Sequence, residues 1–258
     1  MAKGGIIPLI LGGGAGRRLS PLSTPEKPKQ FLPLGLSGAP LLLETAERVQ
    51  SCADVPLKDI HIITLEKYEK AVRALLPHCP LLLEQTARNT APAIALAVQT
   101  LRQTYDDETA LWICPSDHVI EKPAILKHRL KEALSAAQNG LIVTFGIPPT
   151  RAETGYGYIK AAPDGRIITF TEKPDLQTAQ IYLQNGYLWN SGMFVATLKT
   201  LQDELDRHAP ALLTSEQSIP FDKAVMEKTE KGVLIPCPDM GWNDVGIHKD
   251  LLETAQFS

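Results

Sequence analysis

Over the first 150 positions, short continuous apolar runs alternate with longer stretches whose apolar residues recur every three to four positions. The run Ile6–Leu11 predicts a strand buried on both faces. Residues 41–51 have helical spacing, 60–64 predict a strand, 66–76 a helix and 81–83 a short extended piece. Residues 91–104 predict a long helix with Asn89 or Thr90 as its cap. A strand follows at 111–114, then a helix at 124–139 stopped by Gly140, then a strand at 141–146. Strands joined by helices predict a mixed, mainly parallel α/β sheet with helices on both faces. Beyond residue 150 the texture changes. Residues 156–161 and 167–171 flank Pro163-Asp164-Gly165 as a hairpin does, and two more helices and a strand at 187–195 follow. Without a repeat, linker or low-complexity tract, residues 1–258 are expected to form one catalytic unit. The change of texture divides them into halves of about 1–150 and about 151–258.

Composition narrows the setting. A formal charge of −3 gives no global basic field for nucleic acid, so any phosphate site has to be local. No stretch approaches the roughly 20 apolar residues that span a bilayer. The first residues run straight into a strand, without the apolar region of a signal peptide. The four cysteines (Cys52, Cys79, Cys114 and Cys237) are widely separated and form no C-x-x-C pair. They are read as reduced residues of a cytoplasmic protein.

The densest chemistry follows the first strand. Leu11 leads into Gly12, Gly13, Gly14 and Gly16, then Arg17 and Arg18, then Lys29 between prolines. Glycine lets backbone N–H groups approach an anion, and the cations add fixed charge around the same spot. This is not a P-loop, because Gly16 is followed by Arg17-Arg18-Leu19. Nor is it a dinucleotide fingerprint, whose third glycine is replaced by Arg17. Ser116 and Asp117 stand in a Pro115-Ser116-Asp117-His118 turn after the strand at 111–114, where open α/β sheets bind ligands. No second histidine or cysteine stands at ligand spacing from His118, so it is read as a non-ligand.

The segment resembles the signature GG-x-G-x-R-L-x-P-L-S…P-K-Q-F-L of sugar-nucleotide pyrophosphorylases. Pro21-Leu22-Ser23 and Pro28-Lys29-Gln30-Phe31-Leu32 point to the mannose-1-phosphate guanylyltransferase branch. Glu84-Gln85-Thr86-Ala87-Arg88-Asn89-Thr90-Ala91-Pro92 is similar to that family's base-facing E-P-x-G-R-N-T-A-P, with Gln85 for proline and Ala87 for glycine. Phe145-Gly146-Ile147, Glu153-Thr154-Gly155-Tyr156-Gly157-Tyr158, Glu172-Lys173-Pro174, Trp189-Asn190-Ser191-Gly192 and Gly241-Trp242-Asn243-Asp244-Val245-Gly246 match in the same order.

The resemblance implies a Rossmann-like (GT-A-like) nucleotidyltransferase fold and transfer of GMP from GTP to mannose 1-phosphate, assisted by Mg²⁺. It gives Arg18, Lys29, Asp117 and Lys173 catalytic roles, and the metal to Asp117 and Asp244. Leu11, Gly12, Gly13, Gly14, Gly16, Arg17, Glu84, Gln85, Arg88, Asn89, Thr90 and Ser116 are expected on the nucleotide. Gly146, Gly155, Tyr156, Glu172, Lys173 and Asn190 are expected on the sugar phosphate, so the resemblance makes about 1–150 a nucleotide-binding half and about 151–258 a sugar-phosphate half. Ending at Ser258, the chain is expected to carry no isomerase domain, and a homodimer is expected by resemblance alone. Another sugar 1-phosphate (a heptose or other hexose), another NTP, or a non-catalytic nucleotide-sensing subunit are the alternatives.

Overall fold

In a computed structural model the described residues are 5–14 and 19–245. Gly16, Arg17, Arg18 and Gly246 lie outside them. Four parallel strands, β1 (Ile6–Leu11), β2 (His61–Leu65), β3 (Leu81–Glu84) and β4 (Ala110–Pro115), are joined through helices α1 (Leu41–Ala53), α2 (Glu69–Leu75) and α3 (Thr90–Leu101). Then come β5 (Val119–Ile120), α4 (Pro123–Gln138), β6 (Ile142–Ile147), β7 (Tyr158–Ala161), β8 (Ile167–Thr171), α5 (Leu176–Gln184), β9 (Leu188–Thr197), α6 (Leu198–His208), β10 (Gly232–Pro236) and β11 (Trp242–Asn243). The sheet order is β10-β6-β9-β4-β1-β2-β3, with the β7–β8 hairpin attached through β9.

Strand residues split between the two faces with period two, as a sheet covered on both sides requires. On β4, Trp112 and Cys114 pack with α1 and α4, while Leu111 and Ile113 pack with α3 and α6. On β9, Met193 and Val195 face the first layer, and Phe194 and Ala196 the second. The mixed, mainly parallel sheet with helices on both faces is therefore as the pattern predicts. β9 is the antiparallel element, lying between β4 and β6. Among the described residues no helix is long and apolar enough to cross a membrane. All four cysteines are buried and unpaired.

Four local differences from the expected elements have physical causes. The helix expected over 66–76 opens as a 3-10 turn at Glu66–Tyr68, where the Tyr68 ring packs on Phe31 and its hydroxyl donates to the Pro25 carbonyl at 2.9 Å. The strand expected from 156 begins at Tyr158, because Gly155-Tyr156-Gly157 turn along a cavity wall. Residues 232–236 form the edge strand β10, parallel to β6. Asp222–Met226 form one π-helical turn, and neither of these two had a periodicity long enough to see.

The sheet interior also settles Gly146. It pairs with Asn190 inside the sheet, accepts from the Cys237 N–H at 2.8 Å, and is not on the cavity wall expected of a sugar contact. A Cβ there would meet Leu188 Cδ1 at 2.7 Å and Leu234 Cδ1 at 2.9 Å. Gly146→Val is accordingly expected to cost about 1–3 kcal/mol through overpacking. Urea unfolding of the variant checks this; unchanged stability would mean the two leucines have room to move.

Candidate active site

At the carboxyl ends of β1 and β4, residues remote in sequence meet through a two-stranded ribbon. β5 starts two residues after Asp117, and β11 ends one residue before Asp244. Their antiparallel register, Asn243 on Val119 and Trp242 on Ile120, draws the two aspartates onto one side. Between the carboxylates sits Lys29, only 3% exposed. Its Nζ donates to Asp244 Oδ1 at 2.7 Å and to Asp117 Oδ2 at 3.1 Å. Burial alone would lower the lysine's pKa, but the two carboxylates outweigh it and hold the ammonium above its ordinary value.

The ligand atoms of Asp117, His118 and Asp244 lie within 4.8 Å of one another, a group able to hold a metal ion. The imidazole plays a different part from the two acids. Its Nδ1 accepts from Trp242 Nε1 at 3.2 Å, and Nε2 lies 3.8 Å from Asp117 Oδ1. Burial holds His118 below the usual histidine range, against the upward pull of both aspartates. A neutral ring that accepts at Nδ1 carries its hydrogen on Nε2, facing Asp117. The two carboxylates offer hard oxygen donors, of the kind that suits a hard divalent cation.

Gln30, beside Lys29, fixes the glycine loop. Its Nε2 donates to the Gly12 carbonyl at 2.8 Å and the Gly14 carbonyl at 3.1 Å. Thr64 Oγ1 also donates to Gly12, at 2.9 Å. Leu11, Gly13 and Gly14 line a cavity of about 450 Å³, together with Ser116 and Asp117. Gly12 is turned into these bonds instead of the wall.

Across the cavity, Glu84 ends β3 and the turn to α3 follows. Asn89 caps that helix from a left-handed backbone (φ 69°), its Oδ1 accepting from the Thr90 N–H at 2.9 Å. Glu84, Arg88, Asn89 and Thr90 all line the cavity, whereas Gln85 faces a neighbouring groove. Burial pushes the Glu84 carboxyl up to about 7, with Arg88 opposing. The turn is strapped from outside. Arg88 Nη1 donates to the Ser215 carbonyl at 2.6 Å, Ile219 pairs with the Arg88 carbonyl and the Ala91 N–H, and Phe221 N–H donates to Thr90 Oγ1 at 2.8 Å.

Gly155, Tyr156, Glu172, Lys173 and Asn190 line the far end. Lys173 lies two residues beyond β8 with a positive φ of 52°, and its ammonium pairs with Glu172. Strained backbone of this kind persists where surrounding structure holds a side chain to a task. Of the expected residues that are described, the structure gathers most around one cavity; Gly12, Lys29, Gln85 and Gly146 do not line it, Lys29 reaching it only through its bonds to Asp117 and Asp244. Sequence reasoning left out Gln30, whose place beside Lys29 was the available signal. It also left out Asp222, a lone acid inside the apolar stretch Ile219-Pro220-Phe221-Asp222-Lys223-Ala224-Val225.

A parallel-sheet α/β fold with a glycine loop, an acid pair and a buried lysine at its strand ends defines a phosphate-handling transferase class. Residues 7–258 match the family described as Nucleotidyl transferase, and the chain belongs to that family. It is 38% identical to the xanthan biosynthesis protein XanB of Xanthomonas campestris, over 97% of this chain and 60% of that protein. It is 35% identical to an Escherichia coli mannose-1-phosphate guanylyltransferase, over 97% of this chain and 62% of that protein. The chain thus spans about 60% of the length of these curated relatives. Among solved structures, a Thermus thermophilus protein described as a mannose-1-phosphate geranyltransferase superposes with a TM-score of 0.87. The two are 32% identical, and the match covers 97% of this chain and 79% of that one.

Two outcomes test the electrostatics. Lys29→Met leaves two carboxylates facing each other without a cation, so the variant should lose about 3–5 kcal/mol in chemical denaturation. A wild-type unfolding curve would mean the pair is solvated in solution. Burial pushes Asp222 up to about 7, helped by the negative charge of Glu172. An unfolded aspartate titrates near pH 4, so between about pH 4 and 7 the folded state binds the extra proton and stability falls as pH rises. Asp222→Asn removes that penalty. The variant's stability relative to wild type should therefore improve over that window, and a difference flat with pH would contradict the buried acid pair.

Proposed function

We propose that this chain transfers GMP from GTP to mannose 1-phosphate, giving GDP-mannose and pyrophosphate. The observation that carries the reading is the cluster of Asp117, Lys29 and Asp244, whose two acids line one cavity with Gly13, Gly14 and the Glu172, Lys173 and Asn190 group. The names borne by the similar Escherichia coli and Thermus proteins favour a mannose 1-phosphate substrate.

The chemistry is an in-line displacement. A sugar-phosphate oxygen, already anionic near neutral pH, forms a bond to the α-phosphorus while the bond to the β-phosphate oxygen breaks and pyrophosphate leaves. The attacking oxygen has no proton to lose, so no general base is needed. The chain's task is to align two polyanions and neutralise them. Gly13 and Gly14 offer backbone N–H groups to the triphosphate, and Ser116 borders it. The turn at Glu84 to Thr90 takes the base, with the N-terminus of α3 directed at the cavity. Lys173 pairs with the sugar phosphate, and Glu172 and Asn190 read sugar hydroxyls. Asp117 and Asp244 would hold Mg²⁺, which supplies positive charge against the phosphates.

Pyrophosphate release, measured over a panel of NTPs and sugar 1-phosphates, is the deciding experiment. GTP with mannose 1-phosphate should give the highest kcat/KM. A different best pair would move the activity to another sugar nucleotide, and no release with any pair would leave a nucleotide-sensing subunit. Asp117→Asn, Asp244→Asn and Arg18→Ala should each lower turnover by on the order of 10²-fold or more. Near-normal turnover in either aspartate variant would remove the metal assignment.

A further inference from the structure

Asn190 can be read for what it has left to offer a ligand. Its Oδ1 accepts from Thr144 Oγ1 at 2.9 Å and from the Gly192 N–H at 3.2 Å. Its Nδ2 donates to Asp222 Oδ1 at 2.7 Å. An amide has two acceptor positions and two donor hydrogens. One hydrogen is therefore engaged by Asp222, and Oδ1 is met by the Gly192 N–H and by the Thr144 hydroxyl, whose one hydrogen it shares with the Met193 carbonyl at 3.0 Å; what Asn190 has left for a sugar is chiefly one N–H donor. A sugar hydroxyl also has to donate, and that acceptor must come from elsewhere.

Asp222 and Glu172 supply it. Both line the same end of the cavity as Asn190. Glu172 Oε2 is so placed that a Cβ on Gly157 would stand 2.7 Å from it, so the carboxylate lies against the glycine turn. The Glu172 N–H donates to Glu227 Oε1 at 2.9 Å, tying it to the segment that carries Asp222. Asp222 opens a π-helical turn anchored by the buried Phe221, Ala224, Val225 and Met226. π-turns inserted at functional sites re-aim a single side chain. The result is an acceptor, a donor and an acceptor in one wall, a pattern complementary to neighbouring secondary hydroxyls.

We propose that Asp222 determines sugar specificity, orienting the Asn190 amide and accepting a hydrogen bond from a secondary hydroxyl of the sugar phosphate. This rests on the reading of the cavity as a sugar-phosphate site. The pairing of half-buried Asp222 with buried Glu172 fits such a role. Burial and Glu172 disfavour charge on Asp222, and a donating hydroxyl relieves that cost. The backbone before Asp222 is held by the Phe221 N–H on Thr90, while its carboxylate is held by the Asn190 amide.

The test is Asp222→Asn, which keeps the volume and an acceptor oxygen for the Asn190 amide, alongside Asp222→Ala, which keeps neither. Loss of a hydrogen bond to a charged or strongly polarised group should raise KM for the sugar 1-phosphate about tenfold or more. KM for the NTP should stay within about twofold, and kcat within about threefold. Among monodeoxy sugar 1-phosphates, one analogue should erase the difference between wild type and Asp222→Asn. Equal rises in both KM values, or an Asp222→Asn variant with a wild-type sugar KM, overturn the proposal.

Saturation-transfer NMR of the sugar 1-phosphate with the folded proteins separates the two readings. If wild type binds the sugar phosphate without releasing pyrophosphate and Asp222→Asn loses that binding, the transferase reading falls and the specificity residue stands. If turnover is normal and the variant is unaffected, only the specificity residue falls. If wild type neither binds nor turns over any sugar phosphate, both fall.

Discussion

Two carboxylates cannot converge in a water-poor cleft without a cation between them, and in this fold the cation is the ammonium of Lys29. Everything at the strand ends is arranged around that contact. The Pro28-Lys29-Gln30 segment enters a 3-10 turn with Lys29, Gln30 and Phe31 all buried, an unusual place for a lysine and a glutamine. Lys29 gathers the acids while Gln30 holds the Gly12 and Gly14 carbonyls. One tripeptide therefore holds both the acid pair and the described part of the glycine loop.

The topology explains why such distant residues can share a cleft. Parallel strands end on one edge of the sheet, so the loops after β1, β3 and β4 open to the same side. β9 then runs back through the middle of the sheet and delivers Asn190 to that side from the opposite direction. The ribbon of β5 and β11 brings Asp244 alongside, and the segment from Ser215 to Asp222 crosses from the turn at Arg88 and Thr90 to Asn190. Each of these last connections is a handful of hydrogen bonds between short elements.

That contrast sets what was legible in the amino-acid sequence. The long elements declared themselves: the apolar run of β1, the Asn89-capped helix α3 and the Gly140 stop after α4 carry periodicity or turn chemistry over many residues. The glycine loop and the residues lining the cavity were readable because their spelling is distinctive. Two-residue strands such as β5 and β11 have no period to detect, and the pairing that joins Asp117 to Asp244 exists only in three dimensions. Gly146 was misplaced because a glycine required by packing under Leu188 and Leu234 looks, in one dimension, like a glycine required by a ligand. Asp222 was passed over since a single acid in an apolar stretch is read as solvent-facing unless its Asn190 partner is seen.

The two ends of the cavity share one electrostatic plan. At one end Lys29 is paired with Asp117 and Asp244; at the other Lys173 is paired with Glu172, beside Asp222. A free lysine in a cleft would bind any passing anion, whereas a lysine already paired yields only to a ligand offering more than it displaces. Phosphate groups can compete for the ammonium, but the carboxylate left behind then needs a new partner. A divalent ion meets that need at one end, and hydroxyl donors meet it at the other. The paired lysines thus favour ligands that bring both an anion and a replacement for the cation, which is what a nucleotide arriving with its metal and a sugar phosphate with its hydroxyls have in common.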